Sequence, residues 1–228
     1  LFNVITPGAA IKDVDEVFAD PAYRVFEDHF DTQAVQHCHI ENPVSYAYME
    51  AGRIVVVSST QIPHIVRRVI GQALGIGWGN IRVIKPYIGG GFGNKQEVLY
   101  EPLNAWITTQ VGGRPVKLEC TREETFQNTR SRHPIHFDLK AAVGPDMRLM
   151  ARECRAVSNQ GGYASHGHAI VANAVTGFRQ TYPDVLAHRS EAWTVYTNLG
   201  STGAMRGYGI PQCNFAGECM MDDIAREM

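Results

Sequence analysis

The stretch Ile88-Gly-Gly-Gly-Phe-Gly-Asn-Lys-Gln-Glu97 departs from the ordinary patterning of this chain. Four glycines surround one aromatic residue, directly after a strand-like run that begins at Ile81. Glycine lets the backbone adopt φ > 0 or approach a ligand closely, and it loses more conformational entropy on folding than any other residue. We therefore expect this stretch, the glycine loop, to be the element around which the chain is organised. The polar run Asn94–Glu97 is expected to lead from it into a helix.

Composition is typical of a globular protein and excludes several function classes. The 228 residues are 44% hydrophobic and 19% charged, with a formal net charge of −2. This length can bury a sizeable core, and the balance of charge argues against nucleic acid or an anionic membrane as partner. No apolar run approaches the roughly 18 residues that span a bilayer. The chain begins at Leu1, so we expect it to be part of a longer protein.

The five cysteines are scattered, odd in number and never spaced as CxxC. This argues against a disulfide framework, a zinc ribbon or an iron–sulfur ligand set within the chain. The interpretation we favour is buried free thiols in the reducing cytoplasm.

Local patterns predict alternating strands and helices. Strands are expected around Tyr23–Phe30, in a hairpin about Glu50–Arg53, near Val116, in a second hairpin about Gly144–Asp146, and at Ala192–Tyr196. Thr60 is predicted to cap a helix that contains Pro63, and Pro102 to kink the next helix or mark its start. Thr121 and Glu124 have the spacing of a capping box. Residues 158–168 are predicted to be a loop, 170–178 a helix, and Pro211 the beginning of the last helix.

Three junctions follow the same scheme of strand, glycine-rich or polar turn, and helix. They fall at Gln61, at Phe92 and at Arg206. Amide groups at helix starts suit anions, and glycines let those anions come close. The dinucleotide and Walker A motifs do not fit the glycine loop, and no nucleophile elbow or HExxH motif is present. The pairs His37/His39 and His166/His168 lack a third ligand candidate. Spacing alone therefore predicts a domain that binds something anionic.

Three segments together resemble one enzyme family. Gly89-Gly-Gly-Phe-Gly-Asn-Lys95 is similar to the GGGFGxK loop of the molybdenum hydroxylases, the xanthine dehydrogenase and aldehyde oxidase family. Ser58-Ser-Thr-Gln61 resembles the family's STQ junction, and Thr197-Asn-Leu through Ala204-Met-Arg206-Gly-Tyr208-Gly-Ile-Pro-Gln212 resembles its TNL…AxRGxGxPQ segment. The segments occur in family order and the resemblance covers nearly the whole chain. It implies an α+β fold: an exit segment of a preceding small domain at 1–20, then the N-terminal part of the molybdopterin-binding domain at 21–228.

The resemblance also implies roles for individual residues. Gln61 corresponds to the glutamine beside the molybdenum, and Phe92, between Gly91 and Gly93, to the aromatic that contacts pterin and metal. Arg206 corresponds to a residue whose backbone region holds the cofactor. These residues would form the molybdenum site through the cofactor. The family's catalytic glutamate would lie beyond Met228, so no catalytic residue is expected in this chain.

Two further positions bear on the substrate. Tyr208 falls where the family has an aromatic that contacts a flat heterocycle, and such rings offer offset or edge contacts. Gln96 stands where purine-oxidising members have a glutamate, and it keeps hydrogen bonding without charge. The arginine of those enzymes would fall near Asn173, where this chain has none.

The implied reaction is hydroxylation of an electron-poor carbon with oxygen derived from water, in the cytoplasm. The implied cofactor is molybdenum–molybdopterin in its cytosine dinucleotide form. Implied partners are the rest of the molybdenum subunit and subunits or domains that carry 2Fe–2S clusters and FAD. The leading hypothesis is a xanthine or hypoxanthine dehydrogenase. The alternatives are an aldehyde or nicotinate-like N-heterocycle hydroxylase, and an inactive folded fragment or assembly module.

Overall fold

The computed structural model describes residues 12–228. Within them the chain forms two compact units, each built on one four-stranded sheet. Unit 1 comprises residues 12–35, 132–203 and 207–228, and unit 2 comprises Gln36–Ser131 with Ala204–Arg206. Helices and sheets of mixed direction occur in both units, which confirms the predicted α+β class.

The strands, in chain order, are β1 (Arg24–Asp31), β2 (Val44–Glu50), β3 (Arg53–Ser58), β4 (Ile81–Ile84), β5 (Val116–Glu119), β6 (Ile135–Val143), β7 (Leu149–Gly161) and β8 (Ala187–Tyr196). The helices are α1 (Val14–Ala19), α2 (Pro63–Leu74), α3 (Glu101–Gln110), α4 (Arg122–Asn128), α5 (Gly167–Thr181) and α6 (Ile210–Glu227). None of the helices in the described part of the chain has the length and apolar character needed to cross a membrane.

The sheet of unit 1 has the order β1-β6-β7-β8. The first three strands are antiparallel, and β8 runs parallel to β7 after the crossover through α5. Alternate residues of β6, among them Phe137 and Leu139, are buried against α5 and α6, and the residues between them face away. Burying a side chain of this size stabilises a fold by about 1.5–3 kcal/mol. This face therefore holds the core of unit 1.

The sheet of unit 2 has the order β4-β3-β2-β5. Strands β2 and β3 form an antiparallel hairpin, and β4 lies parallel to β3 after the crossover through α2. Val56, Val66, Ile70 and Ala105 pack together in its core. Because parallel β3 and β4 end at the same edge, the chain leaves both strands there for the segments that contain Gln61 and Phe92.

Local predictions are mostly confirmed where a nearby residue determines the geometry. The hairpins β2–β3 and β6–β7 form, and Thr121 with Glu124 makes both hydrogen bonds of the capping box. Pro102 occupies the first turn of α3 and so marks its start.

Three local predictions are wrong. Ile62, not Thr60, is the N-cap of α2; the Thr60 hydroxyl instead accepts the Ile62 N–H at 3.1 Å. Strand β7 continues to Gly161, because pairing with β8 extends it through the polar segment that was predicted to be a loop. The cysteines are not all buried, because Cys38 is exposed. The polar run Asn94–Glu97 does lead into a helix: Asn94–Gln96 form a 3-10 turn, and α3 begins at Glu101.

The predicted domain boundary at residue 20 stays a prediction. Residues 1–11 lie outside the described part of the chain. Residues Val14–Ala19 form α1, whose Val14 and Val17 are buried beside Ala142 and Ala151.

Candidate functional site

The glycine loop holds its aromatic residue, Phe92, in an unfavourable backbone conformation with an exposed side chain. Phe92 has φ 51°, in the left-handed region, and its side chain is 48% exposed. Gly90 and Gly93 on either side also have positive φ, 101° and 108°. A left-handed backbone at a non-glycine residue costs about 1–2 kcal/mol, and exposure of the ring forgoes its burial. Such strain persists where surrounding contacts fix it, and it points to a functional role.

Those contacts come from the segment 204–206. A Cβ atom on Gly93 would lie under 3.0 Å from the carbonyl oxygen of Ala204, a separation that real Cβ atoms essentially never show. The N–H of Arg206 donates to the carbonyl oxygen of Phe92 at 2.9 Å. His37 Nε2 lies 2.7 Å from the same Ala204 oxygen. The glycine loop and this segment therefore hold each other by backbone contacts that only glycine at position 93 permits.

Gln61 contacts the glycine loop from the end of β3. Its Oε1 accepts the Gly93 N–H at 3.0 Å, and its own N–H donates to the Lys95 carbonyl at 2.8 Å. A Cβ on Gly91 would lie 2.6 Å from that Oε1, so glycine is needed there too. The side-chain oxygen of Gln61 accepts a hydrogen bond, whereas its side-chain nitrogen makes no hydrogen bond to the described part of the chain. The exposed side chain therefore offers two N–H donors in a fixed place.

The structure thus brings Gln61, Phe92 and Arg206 together within unit 2, and their contact with a cofactor stays a prediction. Gln96 also belongs to unit 2; its N–H donates to Gly93 O at 3.0 Å and its side chain is exposed. Tyr208 belongs to unit 1.

An ion pair that the sequence hypothesis did not assign supports the glycine loop. Lys95 Nζ lies 2.6 Å from Glu41 Oε2, and the lysine side chain is only 2% exposed. The same carboxylate accepts the Gly89 N–H at 2.9 Å. Burial lowers the pKa of Lys95, although the hydrogen bond to Glu41 opposes this. Burial alone would raise the pKa of Glu41, but the hydrogen bonds from Lys95 and Gly89 lower it overall.

A buried histidine fixes the next residue of the loop. His39 is fully buried; its Nδ1 lies 2.6 Å from the Glu41 carbonyl and its Nε2 3.0 Å from the Asn94 amide nitrogen. A carbonyl only accepts and an amide NH2 only donates, so Nδ1 carries the proton and Nε2 accepts. Burial lowers the pKa of His39 accordingly. The His-x-His pattern at 37–39 thus positions the loop, and Asn94 also reaches Thr129 Oγ1 at 3.0 Å.

In unit 1, Tyr208 is held in a similar conformation. Its φ is 49°, its hydroxyl lies 2.7 Å from His166 Nδ1, and its carbonyl accepts a hydrogen bond from Asn173 Nδ2 at 2.7 Å. Asn173, noted in the sequence only for the arginine it replaces, therefore positions the backbone of Tyr208. The pattern of residues gave no signal for this contact, because the two lie 35 positions apart.

Comparison with known proteins agrees with these features. Residues 3–228 match the family model of the molybdopterin cofactor-binding domain. The chain is 50% identical over 207 residues to the xanthine dehydrogenase molybdenum-binding subunit of Escherichia coli O157:H7, covering 90% of this chain and 27% of that protein. It is 33% identical over 219 residues to the nicotinate dehydrogenase large molybdopterin subunit of Eubacterium barkeri, covering 95% of this chain and 50% of that one.

Among solved structures, the fold is similar to aldehyde oxidoreductase from Desulfovibrio desulfuricans ATCC 27774. The TM-score is 0.87 with 27% sequence identity, over 94% of this chain and 24% of that one. The chain thus spans about a quarter of the length of these E. coli and Desulfovibrio relatives. With the family model matched over nearly its whole length, this chain belongs to the molybdopterin cofactor-binding domain family.

Proposed function

We propose that the chain forms part of the cofactor site in the molybdenum-binding subunit of a xanthine dehydrogenase-like hydroxylase. The observation that carries the proposal is the exposed, strained Phe92, whose carbonyl accepts the Arg206 N–H and whose neighbour Gly93 donates to the Gln61 amide oxygen. This arrangement has no evident value for the stability of unit 2, whereas it offers a ring face and amide donors to a ligand. The relation to the E. coli subunit supports the assignment.

The residues present fit a molybdenum–molybdopterin cofactor. Gln61 would donate from its free amide nitrogen, Phe92 would contact the ligand through its ring, and the backbone at Arg206 would hold the loop that carries this ring. Gly91 and Gly93 allow the Gln61 side chain and the Ala204 backbone to approach the glycine loop closely, where a Cβ would collide with them. When bound, this cofactor supplies the two-electron oxidation of the substrate, with oxygen taken from water. The chain's own residues bind and orient it.

The finer identity of the cofactors is also part of the proposal. We infer the cytosine dinucleotide form, with 2Fe–2S clusters and FAD carried by partner subunits or domains. The five cysteines support the second point, because all of them are free and none has the spacing of a cluster ligand set. Free thiols are also what a cytoplasmic location would maintain.

For the substrate we propose a purine, xanthine or hypoxanthine. Gln96 and Tyr208 are the proposed contacts, Gln96 through its amide and Tyr208 through its ring. Because Asn173 donates to the Tyr208 carbonyl and cannot supply a guanidinium, orientation of the purine must rely on other groups. Aldehydes and nicotinate-like heterocycles are the competing substrates, since relatives named for both are similar to this chain.

The decisive assay uses the complete enzyme with xanthine, hypoxanthine, nicotinate and an aldehyde in parallel. We expect turnover of a purine. Turnover of nicotinate or the aldehyde with none of either purine would refute the substrate assignment. Because the chain spans about a quarter of two relatives, we expect the 228 residues alone to show no turnover and to hold less than one molybdenum per chain. Stoichiometric molybdenum would contradict that expectation.

A substitution tests the cofactor contact itself. Gln61→Met keeps the length of the side chain but removes both the acceptor for Gly93 N–H and the amide donors. Loss of one or two such hydrogen bonds is worth about 0.5–1.5 kcal/mol each, so we expect molybdenum affinity to fall about tenfold or more. Gln72→Met, at an exposed position of α2, is the matched control. Equal molybdenum content in both variants would refute the role of Gln61.

A further inference from the structure

Four polar side chains meet on the outer face of the sheet of unit 1, away from its core. In the register of β1 and β6, His29 lies opposite Asp138, and Asp31 lies opposite His136. Residues at i and i+2 of a strand share a face, so all four project from the same side. Phe137, between the two β6 members, is buried on the other side. The sheet therefore presents two histidines and two carboxylates together.

The distances are those of a cluster whose members converge on one point. Asp138 Oδ1 lies 2.6 Å from His29 Nδ1 and 3.0 Å from His136 Nε2. The imidazole rings are stacked, with centroids 6.1 Å apart and an interplanar angle of 15°. One ligand atom each from His29, His136 and Asp138 can be chosen so that all lie within 4.8 Å of one another.

The fourth residue gives this cluster a feature of metal sites. Asp31 Oδ1 lies 2.8 Å from His136 Nδ1, on the opposite side of the ring from Asp138. A carboxylate on one ring nitrogen fixes the histidine tautomer, so that the other nitrogen presents its lone pair to a metal. Asp31 therefore orients Nε2 of His136 towards His29 and Asp138. In the present contact Nε2 donates its proton to Asp138, so a metal bound here would replace that proton.

We propose that His29, His136 and Asp138 bind a zinc ion, with Asp31 as the positioning residue and water completing the coordination. Imidazole nitrogen and carboxylate oxygen are zinc ligands at about 2.0–2.2 Å, so tetrahedral coordination separates ligand atoms by about 3.3–3.5 Å. The observed separations of 2.6 and 3.0 Å are shorter than this by about 0.8 and about 0.4 Å. The side chains can make this adjustment, because those of His29, His136 and Asp138 are 72%, 43% and 37% exposed.

Charge favours a cation at this place. With neutral imidazoles, Asp31 and Asp138 give the cluster two negative charges. Of the basic residues nearby, Lys140 in β6 is paired with Glu27 at 2.5 Å, and Arg155 in β7, opposite Asp138 in the register, lies over the Trp193 ring at 4.7 Å. With Arg155 counted, the face still carries a net negative charge. Two nitrogen ligands favour zinc over magnesium or calcium, which prefer oxygen ligands throughout.

Zinc stoichiometry of the complete molybdenum subunit tests the proposal. The protein is dialysed against EDTA, equilibrated with zinc chloride and analysed for metal content. We expect His136→Gln and Asp138→Asn each to bind one zinc fewer per chain than the wild type. His64→Gln, at an exposed position of α2, should bind as many as the wild type. An unchanged zinc count in His136→Gln, or an equal loss in His64→Gln, would overturn the assignment.

The positioning role of Asp31 has a separate readout. Asp31→Asn should keep the full zinc count at saturation but weaken the dissociation constant by about tenfold or more, and Asp31→Glu should recover most of this loss. An Asp31→Asn variant that binds zinc as tightly as the wild type would remove Asp31 from the site. Circular dichroism in EDTA controls for folding, and His29→Gln replaces any variant that does not fold.

Discussion

The Gly93→Ala substitution tests the central structural claim, that the glycine loop is fixed by a backbone contact which only glycine allows. Gly93 has φ 108°, and a Cβ there would lie under 3.0 Å from the Ala204 carbonyl oxygen. That oxygen belongs to the backbone and is itself contacted by His37, so it cannot rotate away as a side chain could. Alanine must therefore displace the segment 204–206 and weaken the hydrogen bond from Arg206 N–H to Phe92 O.

The expected loss in the free energy of unfolding of Gly93→Ala has two parts. Forcing an L residue into this region of φ costs about 1–3 kcal/mol, and relief of an overlap with backbone costs about 1–3 kcal/mol more. Gly75→Ala supplies a control for the first part alone, because Gly75 also has positive φ, 66°, but nothing lies within 4 Å of its Cβ position. We expect that control to lose about 1–2 kcal/mol. Gly93→Ala should lose about 2–6 kcal/mol.

Two measurements check this expectation. Guanidinium unfolding of the 228-residue chain gives the free energy of unfolding for each variant, and metal analysis of the assembled enzyme gives its molybdenum content. Gly93→Ala should lose both stability and molybdenum, whereas Gly75→Ala should keep its molybdenum. If the two variants differ by less than about 0.5 kcal/mol and hold equal molybdenum, the contact with Ala204 does not fix the loop.

Three more predictions follow from the described contacts. Glu41→Gln should lower the free energy of unfolding by about 3 kcal/mol, because it leaves the Lys95 ammonium, 2% exposed, without its counter-ion. Lys95→Met should lower it less, because Glu41 is 29% exposed and keeps its hydrogen bond from the Gly89 N–H. If denaturant unfolding shows Lys95→Met to be the more destabilising of the two variants, the role given to the ion pair is contradicted. Burial, with the charges of Arg152 and Arg179, lowers the pKa of His188 from 6.5 to about 4, so the unfolded chain binds its proton first as pH falls. Stability should therefore decline between pH 6.5 and 4 by up to about 3 kcal/mol, and His188→Gln should reduce that decline. If the variant and the wild type have the same dependence of stability on pH, His188 is not the cause of the decline. Thr121→Ala removes the acceptor of the Glu124 N–H and should cost about 1 kcal/mol, which thermal unfolding can measure; no change would show that the capping box adds nothing.

The elements that the sequence predicted correctly are those determined by close neighbours. The Thr121–Glu124 capping box needs only residues three apart, and the β6–β7 hairpin needs only an alternating pattern on both sides of a turn. Strand β7 was predicted too short because its last residues pair with β8, which lies beyond a whole helix in the chain. The Thr60 hydroxyl was assigned to the wrong position for a similar reason. Its segment is tied to Lys95 by backbone contacts at long range, and the helix begins later.

The residues of the candidate site also fall into those that the sequence could predict and those that it could not. Gln61, Phe92 and Arg206 could be selected because family motifs name them, and the structure brings them together in unit 2. The roles of Glu41, His39 and Asn173 could not be predicted, since their partners in the site lie 35 or more positions away in the sequence. The His-x-His spacing at 37–39 stands out in the sequence as a candidate pair of metal ligands, but the spacing does not reveal what the two rings contact. Its actual partners are a carbonyl of the segment 204–206 and the side chain of Asn94.

One construction occurs in each unit and explains why glycine and an aromatic residue stand side by side. Phe92 and Tyr208 both adopt left-handed φ, 51° and 49°, and the glycine after each begins a helical turn with φ of 108° or 98°. A Cβ on Gly93 or Gly209 would collide with a backbone carbonyl, and the carbonyl of each aromatic residue accepts a hydrogen bond. Backbone contacts, rather than packing of the ring, therefore fix the position of the Cα atom from which each aromatic side chain extends. Substitution of the ring should thus alter what the site binds while leaving the fold intact, whereas substitution of either glycine should disturb both.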